Sequence, residues 1–396
     1  MINTSPHSTP SSKTHFPINN EHQQPNHNIF TSNKSNLTPK TYKLLLIINY
    51  ICLFIGSLSS SLLIKFYFNH NGSSRLVSTW VQSAGFPLLL IPIYLLRFQH
   101  QHNNVTIRKP FSSFDMNLLG LCFGVGIMLA ISNFCFSWGN SYLPLSTSSL
   151  VLSSQLAFTL LLSIIIVKQK ITFLNLNCVI LLTLSCVLLA LSSSNDRPEG
   201  LTKRKYFVGF FSTASAGLLF ALYLPVMEKI YSKVDCYAMV MEMQFVMEMV
   251  ATIVATIGMA VAGGFSEMRR ESLEVFDLGG VKYCVVVGMS VVTWQLCFMG
   301  TAGMVYLTTS LTGGICMTAL MGMNVMGGVV VYGDAFKGMK VVATVMCMWG
   351  FCSYVYGMYV KMKDDDNNNG GGDDDTQELQ NKSLLELSEV VIKDRH

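Results

Sequence analysis

Apolar residues fall into long unbroken runs along this chain rather than into short alternating stretches. Taking about 20 apolar residues as one bilayer crossing, the pattern predicts ten, at 44–64, 76–96, 117–138, 145–167, 174–193, 206–227, 237–259, 281–299, 304–331 and 339–360. Most linkers are short. The longest, 97–116 and 260–280, carry only a few charges each, which leaves no room for a soluble domain. Linkers 139–144 and 300–303 hold no charge at all and are expected to be tight hairpins.

Displacing the chain by 162 residues produces an internal echo in one register. Trp80-Val-Gln82 falls on Glu242-Met-Gln244, and Gly126 on Gly288. Asn133, Cys135 and Phe136 fall on Gln295, Cys297 and Phe298, and Leu145-Ser-Thr-Ser148 on Leu307-Thr-Thr-Ser310. A constant offset without gaps predicts five helices duplicated. Because five is odd, the second copy must enter the membrane from the opposite side, as in the inverted repeats of secondary transporters. The expected fold is therefore an all-α integral membrane protein of ten transmembrane helices, an inverted five-plus-five repeat with copies at 44–193 and 206–360.

The flanks differ from this core. Residues 1–43 are polar, rich in Ser, Thr, Asn, Pro and His, and are expected to be a disordered arm without a visible signal peptide. Residues 361–396 form an acidic low-complexity tail with one short amphipathic patch, Leu384 to Ile392. Twelve Lys and Arg near the membrane on the side of the termini face eleven on the other, so charge leaves orientation open.

Composition agrees with a membrane protein: 51% hydrophobic, 13% charged, mean hydropathy +0.42. The net charge of +4 comes without a basic cluster interleaved with exposed aromatics, which excludes nucleic acid as a partner. Ten of the eleven cysteines lie inside apolar runs and no Cys-x-x-Cys pair occurs, so neither disulfides, metal nor cofactor are expected. All eight histidines lie in tails or loops, which excludes a histidine proton relay. No catalytic set is visible, so the chain is not expected to be an enzyme.

Candidate chemistry concentrates in Tyr237 to Met259, whose only charges are Glu242 and Glu248. A carboxylate at such depth costs about 2.5 to 3.5 kcal/mol even on the lenient insertion scale, and those that persist usually face a cavity, a cation path or a proton relay. Desolvation favours the neutral form of a carboxylic acid, so either glutamate could load and release a proton. Helical periodicity puts Gln244, Glu248 and Thr252 on one face, with Glu242 about 160° from Gln244. Gln82 and Gln244, paired by the repeat, are the amides expected to face a shared cavity, and Trp80 points away from the polar side of its helix. An amide offers two donors and an acceptor, and beside aromatics suits a flat heterocycle with ring nitrogens. Gln82, Gln155, Gln244, Gln295 and Asn133 are the candidates for substrate recognition, Trp80 and Trp294 for shaping or stacking. For Asn133, Gln155 and Gln295 the sequence leaves ligand contact and interhelical bonding equally open.

Six stretches together resemble the plant purine permease family of the drug/metabolite transporter superfamily, over residues 42 to 360. They are Ser78-Thr-Trp-Val-Gln-Ser-Ala-Gly-Phe-Pro87, Ser141-Tyr-Leu-Pro-Leu-Ser-Thr-Ser-Ser-Leu150 with Gln155-Leu-Ala-Phe158, Leu224-Pro-Val-Met-Glu228, Val240-Met-Glu-Met-Gln244, Trp294-Gln295 and Trp349-Gly-Phe-Cys-Ser-Tyr-Val-Tyr-Gly357. The resemblance implies ten helices, cytosolic termini, a plasma-membrane location, and proton-coupled uptake of purine bases, cytokinins or related heterocycles of alkaloid or vitamin B6 type. It also supports Glu242 as the coupling residue, whereas Glu248 departs from the family's pattern. The alternative is a facilitator or exporter of another small metabolite, such as a nucleotide sugar, on the same fold. No Lys or Arg lies at midplane to hold a phosphate, which disfavours it.

Overall fold

The computed structural model describes residues 39–95, 110–112, 114–168, 173–192, 201–234, 236–334, 336, 338–353, 356, 357 and 360. The acidic tail and the N-terminal arm before residue 39 lie outside the described residues. Every regular element among the described residues is helical: α1 Pro39–Asn69, α2 Arg75–Ser83, α3 Met116–Tyr142, α4 Leu145–Leu152, α5 Gln155–Ile166, α6 Phe173–Ser192, α7 Lys203–Tyr231, α8 Tyr237–Val261, α9 Gly264–Arg270, α10 Gly280–Leu307 and α11 Ser310–Tyr332. A last apolar helix, α12, spans Met339–Ser353.

Helix starts follow from capping side chains. Ser74, Asp115, Thr202 and Thr309 each accept a hydrogen bond from a backbone N–H in the first turn of α2, α3, α7 and α11, which satisfies a donor that the helix itself cannot. Glu228, at the end of α7, accepts from the Ser310 N–H at 2.8 Å and places a carboxylate at the positive end of α11.

Eight helical segments are long and apolar enough to cross a membrane: Lys40–Asn69, Arg75–Leu95, Met116–Tyr142, Leu145–Ile166, Lys203–Tyr231, Tyr237–Val261, Gly280–Leu307 and Ser310–Tyr332. The apolar stretches at the fifth and tenth expected crossings, Leu176–Ser185 and Met339–Ser353, are shorter. Large side chains such as Ile165, Val261 and Val330 stand exposed on the outer faces, as lipid contact requires.

Two expected hairpins move. The helix predicted to stop before 139 runs to Tyr142, and the break expected at 300–303 falls at Thr308 and Thr309. The glycines that suggested turns serve helix packing instead. A Cβ at Gly300 would stand 2.5 Å from the Leu53 backbone nitrogen, and one at Gly303 would collide with the Asn49 side chain, so α10 and α1 approach through these two residues.

Two expected continuous crossings are broken. After α2 the chain turns through a 3₁₀ segment, Phe86–Leu89, where the Leu88 N–H reaches the Gly85 carbonyl and Pro87 has no N–H to give. Between α4 and α5 the hydroxyls of Ser153 and Ser154 donate to the carbonyls of Leu150 and Val151 at 2.6 and 2.7 Å. Such competition by serine loosens the backbone ladder. Both interruptions lie at bundle depth, beside residues that line the central cavity.

The helix ends keep the 162-residue register. α1 and α7 end at Asn69 and Tyr231, and α2 and α8 begin at Arg75 and Tyr237. The two most extensive helix pairings, α1 with α10 and α3 with α7, exchange under that offset.

Candidate functional site

A cavity of about 490 Å³, its opening included, lies among α1, α2, α3, α5, α7, α10 and α11, within the range of small-molecule sites. Ser57, Ser60 and Ser61 come from α1, Gln82 from α2, Ser132, Asn133 and Phe136 from α3, and Gln155 from α5. Ala216 and Phe220 of α7, Trp294, Cys297 and Phe298 of α10, and Met317 and Met321 of α11 complete most of the wall. Ser132 and Trp294, Phe136 and Phe298, and Gln155 and Met317 are pairs 162 residues apart, so both copies of the echo contribute equivalent positions to this wall. Apart from the Cys297 thiol the lining carries no ionisable side chain, which suits a neutral ligand.

Four of the sequence candidates therefore meet here: Gln82, Asn133, Gln155 and Trp294. The Gln82 amide nitrogen is committed, donating to the Ser78 carbonyl at 2.9 Å, the Asn133 carbonyl at 3.2 Å and the Ser137 hydroxyl at 2.7 Å. Asn133 Nδ2, Gln155 Nε2 and Trp294 Nε1, by contrast, are buried without an acceptor. Trp294 is held between Phe136, edge-on at 5.3 Å, and Phe298, stacked at 5.7 Å between centroids.

Gln244 is not in the cavity wall. It belongs to a buried chain deeper against α10, in which the Tyr223 hydroxyl donates to Gln244 Oε1 at 2.8 Å and Gln244 Nε2 donates to Glu248 Oε1 at 2.8 Å. Thr252, one turn further on, bonds the Glu248 backbone carbonyl. Glu248 is fully buried, and its second oxygen, Oε2, closes no hydrogen bond of ordinary geometry. Gln295 of α10 stands beside this carboxyl, yet neither of its amide atoms closes a well-formed bond either. The titratable neighbours are Tyr223 and Tyr231 from α7 and Cys297 from α10. Cys297 also lines the cavity, which places Glu248 one side chain behind its wall.

The remaining candidates lie elsewhere. Glu242 occupies the opposite face of α8, where its Oε2 accepts from the Phe111 backbone N–H at 3.0 Å, ahead of α3. Trp80 turns from the cavity and donates to Thr256 at 3.1 Å.

Sequence reasoning missed two features. The serines of α1 form an i, i+3, i+4 polar stripe in an apolar run, a signal that periodicity could have exposed. Glu271 gave no such signal, because it follows two arginines in a linker. It is fully buried and accepts from the Tyr67 hydroxyl at 2.6 Å, the Ser73 N–H and hydroxyl at 2.7 and 2.8 Å, the Ser74 N–H at 2.8 Å and the Tyr283 hydroxyl at 3.1 Å. This clasp ties the α1–α2 turn to the segment before α10, at the end of the bundle opposite Pro39.

Comparison with known proteins adds an independent line. A profile described as purine nucleobase transmembrane transport matches residues 44–364. Probable purine permease 4 of Arabidopsis thaliana is 64% identical over 297 residues, 75% of this chain and 77% of that protein. Purine permease 3 of the same plant is 34% identical over 348 residues, covering 86% and 97% of the two chains, and Purine permease 2 is 33% identical over 332 residues, covering 80% and 93%.

Proposed function

Because the chain belongs to the purine nucleobase transport family, and so is a multi-pass membrane transporter and not an enzyme, we propose that it imports purine bases and related planar heterocycles, cytokinins among them, together with protons. Its substrate occupies the central cavity and its proton occupies Glu248.

The observation that carries this reading is the pairing of an incompletely satisfied carboxyl, Glu248, with an incompletely satisfied amide, Gln295, directly behind the cavity wall at Cys297. A group that gains and loses a proton during a cycle must tolerate two hydrogen-bonding patterns. A glutamate with a spare oxygen next to an amide able to donate or accept meets that need. Glu242 is the second candidate, and its bond to a backbone N–H, which can only donate, favours an anchoring role.

The ten-helix inverted repeat is part of the same proposal. It is supported by the shared 162-residue register of helix ends, by the exchanged pairings α1–α10 and α7–α3, and by the paired cavity positions. Under this reading α6 and α12 complete the two copies, the broken α4–α5 and α2 segments border the site as in other carriers, and both termini are cytosolic at the plasma membrane.

Labelled adenine uptake into transporter-deficient yeast, at acidic and alkaline outside pH with and without a protonophore, tests the proposal. Accumulation at acidic pH that collapses with the protonophore is expected. Uptake indifferent to both would make the protein a facilitator, and no flux across a panel of purines would overturn the import reading.

A further inference from the structure

The unused hydrogen-bonding capacity around the central cavity is of one kind. Asn133 Nδ2, Gln155 Nε2 and Trp294 Nε1 are donors, they come from three helices, and each is buried without an acceptor. An amide could be turned to present its oxygen, but an indole N–H can only donate. The Trp294 ring is also wedged between Phe136 and Phe298, so its N–H cannot swing to another partner without disturbing both. A buried donor left unmade carries the full desolvation penalty of the group, which a bound acceptor removes.

We infer that the cavity selects its substrate by the lone pairs of ring nitrogens: a neutral heteroaromatic base that presents at least two aza nitrogens to Asn133, Gln155 and Trp294, with its exocyclic amine secondary. The inference rests on the cavity being the substrate site of the proposed importer and deepens it by naming the atoms that are read. Purines carry such nitrogens on both rings, and so do their amine-substituted derivatives. A benzene-fused ring with one aza nitrogen does not supply enough of them.

The test is competition against labelled adenine on the purified, full-length protein in detergent. Competitors are purine, which lacks the exocyclic amine, and 1-deaza-, 3-deaza- and 7-deazaadenine, each of which replaces one ring nitrogen by C–H. Purine should compete nearly as well as adenine, and at least two of the deaza compounds should bind about tenfold more weakly, the loss of one neutral hydrogen bond. Trp294→Phe keeps an aromatic ring in the wedge and removes only the donor. It should weaken adenine about tenfold and bind one of the deaza compounds as well as it binds adenine. If that variant does not fold, the deaza series on the unaltered protein decides alone. Equal competition by all three deaza compounds, or a purine as weak as they are, overturns the inference, as does a folded protein that binds no purine. The expected binding pattern without proton-driven uptake would leave the inference standing and remove the coupling reading.

Discussion

Glu248 and Glu271 are both fully buried glutamates, and their surroundings could hardly differ more. Glu271, in the clasp between the α1–α2 turn and α10, collects five donors from Tyr67, Ser73, Ser74 and Tyr283. Glu248, in the middle of α8, accepts one bond from Gln244 and keeps an oxygen to spare. Burial alone therefore says little about role. A carboxylate saturated by donors is fixed as an anion and acts as a joint. One with unused valence beside a ligand cavity can change its protonation without tearing a network apart.

Substitutions should separate the two. The largest effect is expected from Glu271→Ala, which strands two tyrosine hydroxyls and the Ser73 and Ser74 groups without their acceptor. It should cost about 3 kcal/mol or more and lower the apparent melting temperature in detergent by about 5 °C or more. A variant that melts with the unaltered protein would show that the clasp is not a joint. Glu242→Gln comes next: losing the charge that faces the Phe111 N–H should cost about 1 to 2 kcal/mol, with the pH dependence of uptake kept. Loss of that pH dependence would move the proton from Glu248 to Glu242. Tyr223→Phe should have the smallest effect, since it removes one donor to Gln244, about 1 kcal/mol. Uptake should remain pH-dependent but slower, and an unchanged rate would mean that Tyr223 does not orient the Gln244–Glu248 pair.

Much of this was legible in the chain. Apolar run length placed the crossings because a bilayer imposes a minimum span on any helix. The 162-residue offset anticipated the matching helix ends, since duplicated segments keep their caps. Periodicity separated Glu242 from Glu248 and grouped Gln244, Glu248 and Thr252, as the hydrogen bonds now describe. What was not legible depends on neighbouring helices. Gly300 and Gly303 resemble a turn until α1 is packed against them. Ser153 and Ser154 resemble ordinary small residues of a span until their hydroxyls reach back to the carbonyls of α4. Gln244 matches Gln82 in sequence, but a glutamate one turn later draws its amide away from the cavity. Glu271 sits in a charged linker and gains its role only from two tyrosines of distant helices.

The central claim is that Glu248 carries the coupled proton, and the most direct measurement is adenine-induced proton movement in liposomes containing the purified protein or its Glu248→Gln variant. The variant should still exchange labelled adenine across the bilayer. It should take up no protons with adenine and should not concentrate adenine in response to a pH gradient, while the unaltered protein does both. A Glu248→Gln protein that concentrates adenine and takes up protons like the unaltered one would contradict the account.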